Sequence, residues 1–186
     1  MASVAEPPSA DAARPAGAQR TAQAAPLPVR SQTLVIVAAL AAAAGAIHAV
    51  AMVDHFDHYW LYGAFFLVVT YAQILWGIWV YRHPQGHRAL VAGAVGSLVV
   101  VAVWVVSRTV GVPVGPDAWE AESIGAMDLV ATIDQLVLAA FVVAIVAPSS
   151  RLGARLRWLA GAHAVRIGIM LCSASVFSML LGSHSH

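Results

Sequence analysis

The chain has 186 residues, of which 60% are hydrophobic, and its mean hydropathy is +0.78. A soluble domain of this length is less apolar, so the composition predicts a lipid bilayer as its surroundings. A net charge of +1, with arginines and no lysine, indicates no nucleic-acid partner. The single cysteine, Cys172, excludes an internal disulfide framework and a Cys-rich zinc site.

The N-terminal segment, residues 1–31, is rich in Ala, Pro, Ser and Gln and has no apolar period. It can bury too little surface to offset its chain entropy, which predicts a disordered cytoplasmic tail. A cleaved signal peptide is the alternative. The apolar stretch that follows starts too late and runs too long for a signal peptide, which favours a retained helix.

Five further stretches are long enough to cross a hydrocarbon core of about 30 Å as helices, which takes about twenty apolar residues. They are residues 33–53, 59–81, 89–106, 124–147 and 158–181. The sequence therefore predicts an all-α integral membrane bundle of five transmembrane helices at 32–182, with a short C-terminal tail at 183–186. Helix one carries small residues at i, i+4 and i+8, which predicts close helix packing at the centre of the bundle. These residues are Ala38, Ala42 and Ala46, and Ala41, Gly45 and Ala49.

The arginines predict the orientation, because short cytoplasmic loops carry an excess of Lys and Arg. With the N-terminus inside, eight of the ten arginines lie inside and only Arg108 lies in an outer loop. This predicts a multi-pass plasma-membrane protein with a cytoplasmic N-terminus and an outer C-terminus. Most carboxylates and histidines then lie near the outer face.

A candidate metal site lies at the outer end of helix one. If this helix continues to about residue 58, His48, Met52 and His55 share one face. Imidazole and carboxylate ligands suit a divalent transition metal. The candidate ligands, from this helix end and from the start of helix four, are His48, Asp54, His55, His58, Glu122 and Asp128. The alternative is that the charged residues from 54 to 58 only solvate a short outer loop.

Helix four carries polar residues at two depths. Asp128, Thr132 and Gln135 form an i, i+4, i+7 stripe, and Asp134 lies roughly 15 Å below the outer surface. The alternative is that Glu122 and Asp128 are charges that complement the helix N-terminus, with Ser123 as its cap, but this does not explain Asp134. A carboxyl at that depth is either neutral or paired. The candidate buried polar or proton-relay residues are Gln73, Asp128, Asp134, Gln135 and Arg166.

Two arginines lie apart from the cytoplasmic set. Arg166 either pairs with Asp134 or extends to the inner surface. Arg108, the only outer cation, predicts an ion pair with an outer carboxylate, for which the candidates are Asp54, Asp57, Glu120, Glu122 and Asp128. The loop after Arg108 is rich in Gly and Pro, whose restricted turns favour a loop that folds back over the outer end of the bundle.

The remaining histidines do not predict a cofactor site. His83 and His87 flank Pro84 and Gly86, which is typical of a tight turn that anchors the topology rather than of a helix that presents two ligands. A haem needs two facing histidines at matching depth, whereas His48 and His163 differ by roughly 15 Å in depth.

Two patterns carry a resemblance. The first runs from Trp104 to Pro116 and continues with Glu122, Gly125 and Asp128; the second comprises His48, His58-Tyr59-Trp60, Gly63, Phe65-Phe66 and Gln73. In both, the chain resembles a group of small uncharacterised polytopic membrane proteins of high-GC bacteria. The resemblance covers helices one to four, and it implies the same topology but no activity.

Three classes of function follow. The leading hypothesis is a non-catalytic membrane protein whose outward-facing polar cluster binds a metal or a small cation. The second is a small proton-coupled transporter in which Asp128 and Asp134 relay protons, which with five helices requires a dimer to enclose a path. The third is an accessory subunit of a larger membrane complex. The sequence has no nucleophile elbow, phosphate loop or H-E-x-x-H pattern, which argues against an enzyme and leaves only intramembrane histidine chemistry open.

Overall fold

The computed structural model describes residues 29–182, with side chains described except at 29, 160–162 and 181–182. This part of the chain forms five long α-helices and no β-strand: α1 Val29–His58, α2 Trp60–Arg82, α3 His87–Thr109, α4 Ala126–Val146 and α5 Arg151–Gly182. Each is long and apolar enough to cross a membrane, which confirms the predicted all-α bundle of five transmembrane helices. Of the two predicted tails, residues 1–28 and 183–186 lie outside the described residues, and 29–31 already belong to α1.

The largest differences from the predicted helix bounds are in α1 and α5, and α4 has a different N-cap. α1 continues past Val53 to His58, so the acidic and histidine residues there lie on a helix rather than in a loop. Tyr59 alone joins α1 to α2, and its backbone N–H closes α1 by donating to the His55 carbonyl at 2.9 Å. α4 begins at Ala126, and its N-cap is Gly125 rather than Ser123. α5 starts at Arg151, seven residues before the predicted span.

α1 lies at the centre of the bundle, where it packs against α2, α4 and α5. Its stripe of small residues at Ala41 and Gly45 faces α2, because a Cβ added at Gly77 would lie 3.2 Å from the Ala41 Cβ. The other predicted stripe is less central, since Ala42 is exposed. Close approach of α1 and α2 therefore follows from small residues on both helices.

α2 and α3 diverge. They contact each other sparsely, because α2 packs mainly on α1 and α3 packs mainly on α4. Their outward faces carry large exposed apolar side chains such as Leu75 and Val95, as expected for surfaces that contact lipid tails. The gap between the two helices provides the space for the site described below.

The two ends of the bundle differ in character. The loop end comprises the α1–α2 junction at Tyr59 and the α3–α4 loop, residues 110–125. The arginine end comprises the α2–α3 turn, residues 83–86, and the α4–α5 connection, residues 147–150. At the arginine end, Arg30 and Arg157 donate to the Pro84 and Pro148 carbonyls, at 3.5 and 2.7 Å.

Candidate functional site: a pocket between α2 and α3

A pocket of about 700 Å³ lies between α2 and α3 at the loop end. α1 and α4 close it from behind, and the α3–α4 loop covers its end. Most of its wall is aliphatic or aromatic, including Phe65, Phe66 and Trp104. Pockets of this size and lining hold drug-sized organic molecules.

The α3–α4 loop folds back over the pocket, as its glycines and prolines predict. Gly111 and Gly115 have positive φ values of 76° and 91°, which a residue with a Cβ rarely adopts. The loop is tied to α2 by the Tyr62 hydroxyl, which donates to the Val114 carbonyl at 2.5 Å. It is tied to α3 by the backbone N–H of Glu122, which donates to the Ser107 carbonyl at 3.0 Å. The loop therefore forms a partial roof over this end of the pocket, where Asp54 and Glu122 stay exposed.

Four charged residues line the pocket beneath this roof: Asp54, Arg108, Glu122 and Asp128, here called the mouth cluster. Arg108, for which the sequence predicts a carboxylate partner, donates to Glu122 and, at 2.5 Å, to Asp128 Oδ2. Its side chain is only 10% exposed, whereas the two carboxylate side chains are 42% and 31% exposed. Asp128 also accepts the backbone N–H of Gly125 at 3.2 Å, so it both caps α4 and holds the guanidinium. The mouth cluster therefore contains three carboxylates and one guanidinium.

The inner end of the pocket carries the buried floor pair, His48 and Gln135. Their Nε2 atoms lie 3.2 Å apart, and since an amide N–H only donates, the imidazole Nε2 accepts. The amide oxygen of Gln135 has no hydrogen-bond partner within residues 29–182, although Gln135 is only 1% exposed and lines the pocket. The indole N–H of Trp104, also on the pocket wall, is likewise without a partner in the described part of the chain. The pocket wall therefore includes two side chains that each carry a buried polar atom without a partner among the described residues.

The predicted metal ligands come to the same end of the bundle but do not converge on one point. His55 Nδ1–H donates to the Ala51 carbonyl at 2.7 Å, and its ring packs on Phe66. His58 pairs with Asp117 at 2.5 Å and does not line the pocket. Among the described residues, no group of three or more His, Cys, Asp or Glu side chains is arranged to hold a metal ion.

The buried polar residues of the predicted proton relay are also separate. Asp134 is 0% exposed, and neither of its carboxylate oxygens has a hydrogen-bond partner in the described chain. Arg166 is exposed, so the Asp134–Arg166 pair that the sequence left open is not formed. Asp134 does not line the pocket, whereas Asp128 does, because residues six apart on a helix point about 120° apart. The Gln73 amide, on α2, also has no partner among residues 29–182.

Several lining residues are absent from the sequence prediction. Tyr62 and Phe66 are not among the predicted site residues, and their contacts with the loop and with His55 place them in the site. Trp104 lies one turn before Arg108, and this i, i+4 spacing is a signal that could have placed its indole beside the mouth cluster.

Fold and site together define an integral membrane protein with a pocket that is charged at one end and apolar along its length. No protein family matches the chain, and neither does any curated protein or solved structure.

Proposed function

We propose that this membrane protein binds a molecular cation, such as an ammonium group, in the pocket between α2 and α3. The observation that carries the proposal is the charge of the mouth cluster, whose three carboxylates outnumber its single guanidinium. Apolar walls lower the local dielectric, which strengthens the attraction of this excess charge for a cation. Aromatic faces on the wall add cation–π attraction.

The unpartnered amide oxygen of Gln135 is independent support for a bound ligand. A buried acceptor without a partner costs about 1–3 kcal/mol, and a ligand donor removes that cost. The floor pair and the mouth cluster lie on the wall of one pocket, so a single molecule can reach both.

A metal ion is the second candidate, because His48, Asp54, His55, Glu122 and Asp128 all line the pocket. Direct coordination requires several of these atoms within about 2.0–2.6 Å of one ion. Arg108 already occupies Glu122 and Asp128, and His55 is bonded to its own helix. A molecular cation needs no such convergence, which is why the geometry favours it.

The proposal also includes the orientation predicted from the arginines: a plasma-membrane protein with a cytoplasmic N-terminus and an outward-facing loop end. Two single-cysteine variants, Asp57→Cys and Gln85→Cys, each in a Cys172→Ser background, test this orientation. We expect an impermeant maleimide applied to intact cells to label the cysteine at 57 and not the one at 85. The opposite pattern would invert the orientation.

Isothermal titration of the purified protein with tetramethylammonium and longer alkyltrimethylammonium ions tests the binding. We expect Asp54→Asn to weaken the affinity about tenfold, because it removes one carboxylate charge from the pocket wall. Asp57→Asn is the matched control: it lies on the same helix three residues away but does not line the pocket. Equal effects of the two substitutions would show only a general surface-charge effect and would contradict the proposal.

Metal analysis of the same preparation, with His48→Ala and His58→Ala beside it, separates the second candidate. A stoichiometric divalent metal that His48→Ala removes would favour the metal site over the molecular cation.

A homo-oligomer or a larger membrane complex stays a prediction, for which co-purification from native membranes is the test.

A further inference from the structure

We propose that the cation is an amphiphile that reaches the pocket sideways from the bilayer, and that its apolar body carries one hydrogen-bond donor. This inference rests on the proposed function and names the class of ligand. It follows from three features of the pocket: where it is closed, where it is open, and how its polar atoms are spaced.

The α3–α4 loop covers the loop end of the pocket in part, although the Glu122 side chain there stays 42% exposed. The α3–α4 loop is bonded to α2 through Tyr62 and to α3 through the backbone of Glu122. A hydrogen bond within the loop also stabilises it: the backbone N–H of Trp119 donates to the Val112 carbonyl at 2.9 Å. A ligand with a long apolar body would have to pass this loop to enter from water.

The pocket is open toward lipid. α2 and α3 contact each other sparsely, and Val68 on α2 lines the pocket while remaining 66% exposed. Val100 and Val103 line the opposite side on α3. In a bilayer this opening faces acyl chains, so a molecule already dissolved in the membrane passes through it without crossing the roof.

The polarity of the pocket matches the way an amphiphile lies in a leaflet. The mouth cluster lies near the ends of α1, α3 and α4, at the depth of lipid headgroups, and the apolar wall extends from it toward the membrane interior. A single-chain ammonium compound therefore enters with its head already at the carboxylates and its chain along Phe65 and Phe66. A small hydrophilic cation would leave this apolar wall unfilled.

The floor pair adds a specific requirement. Asp128 and Gln135 are seven residues apart on α4, which places their backbones about 10 Å apart along the helix. The unpartnered oxygen of Gln135 accepts a hydrogen bond, so a matching ligand carries a hydroxyl or amide N–H at about that distance from its ammonium. A plain hydrocarbon chain cannot satisfy this atom.

Two probes of equal length test the donor: octyltrimethylammonium and 8-hydroxyoctyltrimethylammonium, titrated into nanodiscs that contain the full chain, with empty nanodiscs subtracted. We expect the hydroxylated probe to bind about fivefold more tightly. Gln135→Leu should reduce the ratio of the two affinities to about one, whereas Ile133→Leu, on α4 but not on the pocket wall, should preserve it. Equal affinities of the two probes for the unmodified protein would overturn the donor requirement.

Val68→Trp tests the sideways route, because an indole at this position narrows the opening. We expect the association rate of the octyl probe in nanodiscs to fall about tenfold, while that of tetramethylammonium stays the same. Leu75→Trp is the matched control, since Leu75 lies two turns further along α2, is 61% exposed and does not line the pocket. An association rate that Val68→Trp leaves unchanged would overturn the route.

The outcomes separate this inference from the proposed function. If tetramethylammonium binds as tightly as the octyl probe, and Asp54→Asn weakens both, the pocket binds cations but the amphiphile inference is wrong. If no ammonium compound binds, both proposals are wrong. If a neutral octyl compound binds as tightly as the octyl cation, the pocket is an apolar groove and the cation proposal is wrong.

Discussion

The loop end and the arginine end of this bundle differ in the burial and in the partners of their arginines. At the loop end, Arg108 is largely buried and bonded to two carboxylates under a folded loop. At the arginine end, Arg30 and Arg157 are exposed, and both donate to backbone carbonyls. The paired charges at the loop end line a pocket. Exposed arginines at the other end are typical of the charge bias that sets the orientation of a membrane protein. The same residue type thus serves structure at one end and the site at the other.

Replacing Arg108 is the strongest way to break this comparison. Arg108→Gln leaves Glu122 and Asp128 without their cation, and we expect the free energy of unfolding to fall by about 3 kcal/mol. The same change removes the positive charge from the mouth cluster, so the affinity for an ammonium probe should rise. Thermal unfolding in detergent and probe titration measure the two effects.

The matched control is Arg88→Gln at the arginine end, where the side chain is exposed. We expect a change within about 0.5 kcal/mol and no change in probe affinity. Equal losses of stability at the two ends would mean that the loop-end ion pairs are no more important than a solvated arginine.

The roof of the pocket is the next target. Gly111→Ala places a Cβ at a φ of 76°, close to the backbone of Glu120, and we expect a loss of about 2 kcal/mol in stability together with weaker probe binding. Gly96→Ala on α3 is the control, because a Cβ there meets no atom within 4 Å. That substitution should be neutral or slightly stabilising, since Ala favours helix by about 1 kcal/mol over Gly. Probe binding that survives Gly111→Ala unchanged would show that the roof does not shape the pocket.

A smaller effect of opposite sign is expected in the membrane interior. Asp134 is fully buried without a hydrogen-bond partner in residues 29–182, so Asp134→Leu should raise the free energy of unfolding by about 1 kcal/mol. It should leave probe affinity unchanged, because Asp134 does not line the pocket. Denaturant unfolding and titration test this. A loss of binding would mean that Asp134 contributes to the site, and it would favour the proton-relay hypothesis.

The contrast between the ends also shows what the sequence could predict. Hydropathy and arginine positions predict the five helices and the two unlike ends, because both depend on local composition. They do not predict which carboxylates Arg108 binds, nor that α1 runs on to His58, since those depend on the loop and on the single-residue junction at Tyr59.

The contact within the floor pair was the feature least predictable from the sequence. His48 and Gln135 are 87 residues apart, and each was identified as a polar residue at membrane depth on its own helix. Their contact requires α1 to pack against α4 in one register, which no local pattern encodes. The pocket itself arises from the divergence of α2 and α3, a property of packing rather than of either segment.

The smallest effect is expected at the edge of the loop end. His58 pairs with Asp117 at 2.5 Å, but the two side chains are 52% and 50% exposed, and water and salt screen a pair of this kind. We expect His58→Ala to cost less than about 1 kcal/mol and to leave probe affinity unchanged. Denaturant unfolding and probe titration measure the two quantities. If His58→Ala instead abolished cation binding, the binding site would extend beyond the pocket wall to the α1–α2 junction. The exposed His58–Asp117 pair would then belong to the site together with the mouth cluster.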